Sequence, residues 1–432
     1  MFSRSKLGAE LTYYLMSAAM TLFDSTMFVY ITVFYYAVVG LNPLQLVLIG
    51  TALEGSILLF EVPTGVVADT YSRRLSVLLG ILTLGAGFVL TGLARTFFVA
   101  LLAQVVCGLG YTFLSGATDA WLADEVGDDQ VGQVYLRAGQ INRLVGMLGI
   151  LASAVLASVR LDLPILTGGV LYILLFLFLA LVMPEHHFQP FQPESAKRGL
   201  PSMFATFREG ARVIRSQPFL ITLLLINFFV GTASEGFDRL GDAHLMANFT
   251  FPPLVLPLLG TLKPIVWFSI ISMAGSLLSL VMIEPLRPRL ETLTKDRALT
   301  ARALTALNVV FAGCGIAFAL TRSFPLAVSV LLLRWLTGSL IWPLFNAFQV
   351  QSVNTRVRAT VLSMTGQGNA LGQVLGGPLV GWIGTASMRA ALVVSGLLIL
   401  PNSLLYGKGS TANAPAEPEA LQENAELQPQ GD

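Results

Sequence analysis

Apolar residues run through this chain in long blocks separated by short polar breaks. The blocks fall at 9–39, 43–69, 76–94, 97–123, 131–158, 164–183, 217–234, 263–285, 300–320, 323–350, 357–383 and 386–406. Each is close to or longer than the roughly 20 residues a helix needs to cross a bilayer, so the pattern predicts twelve transmembrane helices in an all-α polytopic membrane protein. The first two exceed one crossing and are expected to tilt. Between the sixth and seventh blocks lies a polar stretch with Lys197, Arg198, Arg208, Arg212 and Arg215, which divides the chain into two sets of six. The expected organisation is a six-helix bundle over 1–185, a cytoplasmic linker over 186–216 and a second bundle over 217–406. A disordered cytoplasmic tail is expected over 407–432, where Ala, Pro, Glu and Gln predominate.

Composition supports the membrane class. Hydrophobic residues make up 54% of the chain and charged residues only 12%, where a soluble domain has about 25% charged. The basic residues then give the orientation. With both termini inside, only Arg95, Arg160, Arg239, Lys263, Arg322 and Arg389 of the 26 Lys and Arg fall on the outer side, and Arg143 and Arg334 lie within helices. All the others are cytoplasmic, which predicts cytoplasmic termini in a multi-pass protein of the bacterial inner membrane. The first 11 residues are too polar for a signal peptide, and the first apolar block is expected to be retained. Cys107 and Cys314 fall in helices without a Cys-x-x-Cys or metal-ligand spacing, so neither a disulfide nor a metal is expected. The sequon at Asn248 is attributed to chance, and no phosphate-binding Gly-x-x-x-x-Gly-Lys motif occurs.

Against this apolar background the charges inside helices stand out. Asp24, Glu54, Glu61, Asp119, Glu235 and Arg334 lie within or beside the blocks, and a charge in hydrocarbon costs several kcal/mol unless it faces protein or water. They mark an internal polar route and are the candidates for substrate or proton binding. A spacing of eleven residues returns to nearly the same helix face, so Tyr13, Asp24 and Tyr35 are expected to share a stripe suited to an amphipathic or cationic compound. Glu61 should lie about 12 Å along its helix from Asp69, inside the membrane, and either it or Glu54 is a candidate to pair with Arg334 or Arg143. The segment from Ser234 to His244 closes or extends the seventh helix, and its charges read as an external amphipathic cap or an entry mouth.

The sharpest local motif is GVVADTYSRR at 65–74, placed where the second helix leaves the membrane. Gly65 would permit close helix approach, Asp69 can cap a neighbouring helix, and Arg73 and Arg74 can pair with an acid near the headgroups. This segment resembles the signature loop of the major facilitator superfamily, whose twelve helices would cover roughly residues 9–406. The resemblance implies that Asp69 caps the helix after Arg356 and that Arg73 meets Asp124 or Glu125, forming a gating lock. A second element, Arg334 to Gly338, resembles the family's Arg-x-x-x-Gly motif. At the equivalent place in the fourth helix stands Gln104, where proton-coupled drug exporters usually carry arginine.

In the eleventh helix, Gly366, Gly368, Gly372, Gly376, Gly377 and Gly381 surround Pro378. This pattern suits close approach and bending, with Gly376, Gly377 and Pro378 as candidate conformational residues. The resemblance implies a secondary transporter, not an enzyme, that exports small amphipathic or cationic compounds by alternating access. The expected coupling species is a proton, with no cofactor, no metal and no nucleic acid, and a monomer surrounded by lipid as the working unit. Uptake, or movement of a lipid-like solute, is the alternative within transport; a channel or membrane scaffold is the alternative outside it.

Overall fold

The computed structural model describes residues 7–190, 218–256, 260–351 and 358–411. The rods of the first set are α1 (Ala9–Phe28) with α2 (Ile31–Ala37), α3 (Pro43–Thr70), α4 (Arg73–Leu93), α5 (Phe97–Leu114) with α6 (Ala117–Val126), α7 (Asp128–Val159) and α8 (Leu163–Val182). The second set comprises α9 (Pro218–Asn248), α10 (Val266–Leu293), α11 (Arg297–Leu320), α12 (Phe324–Gln351), α13 (Arg358–Ala386) and α14 (Met388–Leu398) with α15 (Pro401–Thr411). Among the described residues, eleven helical spans are long and apolar enough to cross a membrane. The twelfth rod, α13, falls outside that count and carries Gln367, Asn369 and Gln373.

Helix ends follow their capping residues. Asn42 and Gln45 form a reciprocal capping box at α3, with Pro43 at the first helical position. Ser72, Asp296 and Ser387 cap α4, α11 and α14 through their side chains. Three blocks expected as single helices are broken. The first bends at Val29 and Tyr30, the fourth at Ser115 and Gly116, where Gly116 has φ of 69°, and the last at Ile399 and Leu400. The seventh apolar block stops near residue 234; of the two readings of Ser234 to His244, closing or extending that helix, the second holds, since α9 continues to Asn248. A short antiparallel hairpin of β1 (Leu254–Leu256) and β2 (Gly260–Leu262), which no hydropathy block signals, follows it. Residues 191–216 of the expected linker, residue 217 and the tail beyond 411 lie outside the described residues.

In the first set α4 packs on α5 and α8, and α1 on α7; in the second α9 packs on α13, and α11 on α12 and α15. The sets meet where α3 lies along α13 and where α7 touches α10. The turn between α3 and α4 marks one face of the molecule, called the Asp69 face below; the α3 cap at Asn42 marks the other. Small residues set the closest approaches. A Cβ on Gly372 would run into the Phe228 carbonyl oxygen of α9, and one on Gly381 would stand 2.9 Å from the Val47 Cβ of α3. Gly65 differs from expectation, because a Cβ there would meet nothing within 4 Å.

On the Asn42 face, Asp162 at the α7–α8 turn accepts from Arg160 Nη2 at 2.6 Å and from Arg95 Nη2 at 3.0 Å. Burial alone would raise its carboxyl pKa, but the bonds from Arg160 and Arg95 outweigh it and hold the group below the ordinary carboxylate range. A depressed folded-state pKa adds stability above the unfolded value of about 3.9. That contribution fades as pH falls through the lower folded value. Asp162→Asn is therefore expected to lower the melting temperature at neutral pH and to have progressively less effect below about pH 4. A pH-independent loss would contradict the ionic origin of this contact.

The glycine seam yields a second expectation. Gly372→Val should destabilise the purified protein by about 1–3 kcal/mol through overpacking. Gly65→Ala should stay within about 0.5 kcal/mol of the parent. Melting curves in detergent check both, and equal effects at the two positions would contradict the packing described.

Candidate functional site

The candidate residues gather in four places. The first is the α3–α4 turn. Arg73 Nη1 stands 2.5 Å from Asp124 Oδ2 and donates to the Ala120 carbonyl at 2.7 Å, so the turn is bolted to α6. Arg74 donates through Nη2 to the Ala180 carbonyl at the end of α8. Glu185 accepts from the Ser72 hydroxyl at 2.7 Å and from the Arg74 backbone N–H at 2.9 Å. Glu125 accepts instead from the backbone N–H groups of His186 and His187. The expected partner of Arg73 is thus Asp124 rather than Glu125. Asp69 is exposed, while Arg356, near the helix start it was expected to cap, lies outside the described residues.

The second place is the interior of the first set. Asp24 on α1 accepts a 2.7 Å bond from the Tyr172 hydroxyl on α8. Tyr35 was expected on the same stripe; the helix breaks at Val29 and Tyr30 between it and Asp24, and its hydroxyl has partners of its own. The Tyr35 ring is 2% exposed, and its hydroxyl accepts from Gln104 Nε2 at 2.8 Å and donates to Thr91 at 3.4 Å. Gln104, standing where an arginine is usual, serves as a neutral donor to a tyrosine. Tyr13 packs edge-on against Tyr135, and Tyr135 donates to Asp119 at 2.8 Å. The three stripe residues therefore belong to three different contacts.

The third place is the seam between the sets. Near the Asp69 face, Glu61 Oε2 accepts from Gln367 Nε2 of α13 at 2.6 Å, and Arg143 of α7 reaches Glu284 of α10 at 3.4 Å. Glu61 thus pairs with an amide rather than with Arg143 or Arg334. Toward the Asn42 face, the Tyr30 hydroxyl lies 2.8 Å from Ser269 Oγ and donates to the Ile265 carbonyl, while Thr32 donates to the Asp238 carbonyl. Between these two zones sits Glu235. It is 1% exposed, neither carboxylate oxygen has a hydrogen-bond partner among the described residues, and Arg239 Nε stands 3.7 Å away. Its side chain lies beside Gly377 of α13 and Gly50 of α3. Glu54 of α3 is half-buried nearby and interacts electrostatically with Arg239.

The fourth place is a cavity of about 750 Å³ built mainly by α9, α10 and α12, with α1 on the far side. Arg334 is clamped between two rings, its guanidinium carbon 3.8 Å from the Phe237 centroid and 3.6 Å from that of Phe311. Asp238 and Asp242 line the same cavity. The external-cap reading of this segment is corrected: Ser234 to His244 is the interior of α9, and His244 is fully buried against Phe249 and Phe318. A carboxylate every third or fourth residue in an otherwise apolar stretch looks the same on an external cap as on a cavity wall.

Some partners had no sequence signal. Glu61 and Gln367 are 306 positions apart, and no spacing rule links them. Tyr172 and Phe311 are ordinary aromatics within apolar runs.

The comparisons with known proteins agree with this architecture. The family model described as Major Facilitator Superfamily matches residues 14–367. The uncharacterized MFS-type transporter YxaM of Bacillus subtilis (strain 168) is 24% identical over 379 residues, which cover 84% of this chain and 86% of that protein. Among solved structures, a bacterial homolog to the human lysosomal transporter Spinster superposes with a TM-score of 0.69 at 15% identity, covering 94% of this chain and 98% of its own. The nucleoside transporter NupG gives 0.67 at 13% identity, over 94% and 100%. A POT family transporter in complex with 5-aminolevulinic acid gives 0.71 at 13%, over 93% and 96%. With a family model spanning most of the sequence and twelve helical rods, this chain belongs to the major facilitator superfamily and is a multi-pass membrane transporter, not an enzyme.

Proposed function

We propose that this transporter is proton-coupled and exports small amphipathic compounds across the bacterial inner membrane by alternating access, with the Asp69 face and both termini in the cytoplasm. The orientation rests on the excess of Lys and Arg in the segments assigned to that face. Alternating access needs contacts between the sets that form and break in turn. Candidates stand toward both faces: Glu61 with Gln367 and Arg143 with Glu284 on one side, Tyr30 with Ser269 and Thr32 with Asp238 on the other.

The single observation that carries the coupling is Glu235. A carboxylate that is 1% exposed and has no hydrogen-bond partner among the described residues is tolerable when Arg239 neutralises it or when it holds a proton. It sits where α3, α9 and α13 converge, so separating the sets on that side changes its surroundings from protein to water. Proton occupancy and opening are then linked, because one state binds the proton better than the other. Asp24 and Glu61, each held by one neutral hydrogen bond, are the further acids on the route.

Reconstituted protein in liposomes, loaded with a pH-sensitive dye and challenged with an amphipathic substrate panel under separately imposed pH and voltage gradients, tests this reading. Glu235→Gln is expected to retain counterflow exchange but to lose accumulation driven by a pH gradient. Unchanged substrate-linked proton movement in Glu235→Gln, Asp24→Asn and Glu61→Gln would remove the acids from the mechanism. Net inward accumulation under a physiological gradient would assign uptake in place of export.

The gate carries its own expectation. Arg73→Gln and Asp69→Asn should each slow turnover by about tenfold while leaving substrate affinity unchanged, because they act on one conformational state and touch no cavity residue. Turnover equal to the parent in normally inserted protein would contradict the assignment.

A further inference from the structure

The charges around the cavity specify more than a hollow of the right size. Asp238 and Asp242 are four residues apart and therefore point from one side of α9 into the same space. Arg334 enters from α12. Phe237 and Phe311 cover both flat faces of its guanidinium, and one N–H goes to the Phe311 carbonyl at 3.3 Å, which leaves donors along the edge. Among the described residues, no carboxylate oxygen stands within ion-pair contact of Arg334, and no basic nitrogen within ion-pair contact of Asp238 or Asp242. The ring clamp thus keeps the cation out of contact with the two anions of a shared enclosure, across which Arg334 and Asp238 interact electrostatically, while Arg239 acts on Asp238 from α9. Around them are the aromatic side chains of Phe28, Phe268 and Trp335 and the hydroxyls of Ser272 and Ser276.

We propose that this cavity binds a zwitterionic amphipathic compound, its ammonium against Asp238 and Asp242 and its anionic group on the edge of Arg334. The proposal rests on the transporter reading above and names the substrate class of that site. A simple cation would satisfy the aspartates but bring positive charge toward a guanidinium that no carboxylate contacts among the described residues. A simple anion would satisfy Arg334 while facing two carboxylates. A compound with both charges matches both walls at once, and its apolar body lies on the rings, where a pocket of this volume buries most of a small ligand. The pocket is separate from Asp24, whose carboxylate is engaged by Tyr172 within the first set.

Equilibrium binding to the purified full chain in lipid nanodiscs tests the proposal with two matched sets. One is phenylalanylphenylalanine, its C-terminal amide and its N-acetyl derivative; the other is tryptophan, tryptamine and indole-3-propionate. In at least one set the zwitterion should bind at least about tenfold more tightly than either singly charged relative, the size of effect one charge-assisted bond supplies. Asp242→Asn should abolish that advantage over the anion, and Arg334→Gln the advantage over the cation. Should Arg334→Gln fail to fold, Arg334→Lys keeps the charge and should keep the preference for the zwitterion over the cation. Equal or tighter binding of a singly charged relative in both sets, or no binding of any member, would overturn the proposal. Counterflow of the same compounds in liposomes separates the two levels. Exchange of a cation or an anion alone keeps the transporter reading and removes the zwitterion, whereas a bound zwitterion that is never exchanged removes the transporter reading and leaves the site.

Discussion

An ionised side chain inside a hydrocarbon-spanning helix has to find its partner within the bundle, and that requirement organises this protein. Asp24 takes a tyrosine hydroxyl, Glu61 takes an amide and Arg334 takes two ring faces and a carbonyl. Each solution ties together rods that are distant in sequence. Glu235 is the exception, held by an arginine at 3.7 Å and, among the described residues, by no hydrogen bond. A dry interior tolerates such a group where a change of state relieves it, which is why it is the hinge of the proposed coupling.

Two kinds of contact divide the labour. Within each set, packing is close and apolar, and the approach of α13 to α9 is set by glycines whose replacement would drive a side chain into backbone. Between the sets, apolar packing of α3 on α13, where Gly381 meets Val47, is accompanied by polar contacts: a tyrosine on a serine, a threonine on a carbonyl, a glutamate on a glutamine. Hydrogen bonds of this kind exchange for water at small net cost, about 0.5–1.5 kcal/mol each. The sets can then move as bodies while their interiors stay packed. The Arg73 and Asp124 ion pair lies inside the first set and fixes the α3–α4 turn to α6.

Hydropathy made the rods legible, because a bilayer imposes one length and one polarity on every crossing. The breaks were not legible. Tyr30 and Ser115 interrupt runs that are continuous in composition, and the first of these breaks falls between Asp24 and Tyr35. Local motifs read well where both partners lie near one face, as Arg73 and Asp124 do. The cavity read poorly, because its walls come from α1, α7, α9, α10, α11 and α12, and only the packing of the rods brings Phe311 to Arg334. Gly65 shows the converse: a motif glycine that this conformation leaves in open space.

Alternating access requires the two faces to move in opposite senses. Spin labels at Val38 and Ala247 report on the Asn42 face, and labels at Tyr71 and Glu291 on the Asp69 face; all four side chains are exposed. Pulsed electron resonance on each pair, in nanodiscs at neutral and acid pH and with a transported compound added, measures both separations in the same protein. The account predicts that whichever condition lengthens one distance shortens the other. Two distances that stay fixed, or that lengthen together, would contradict it.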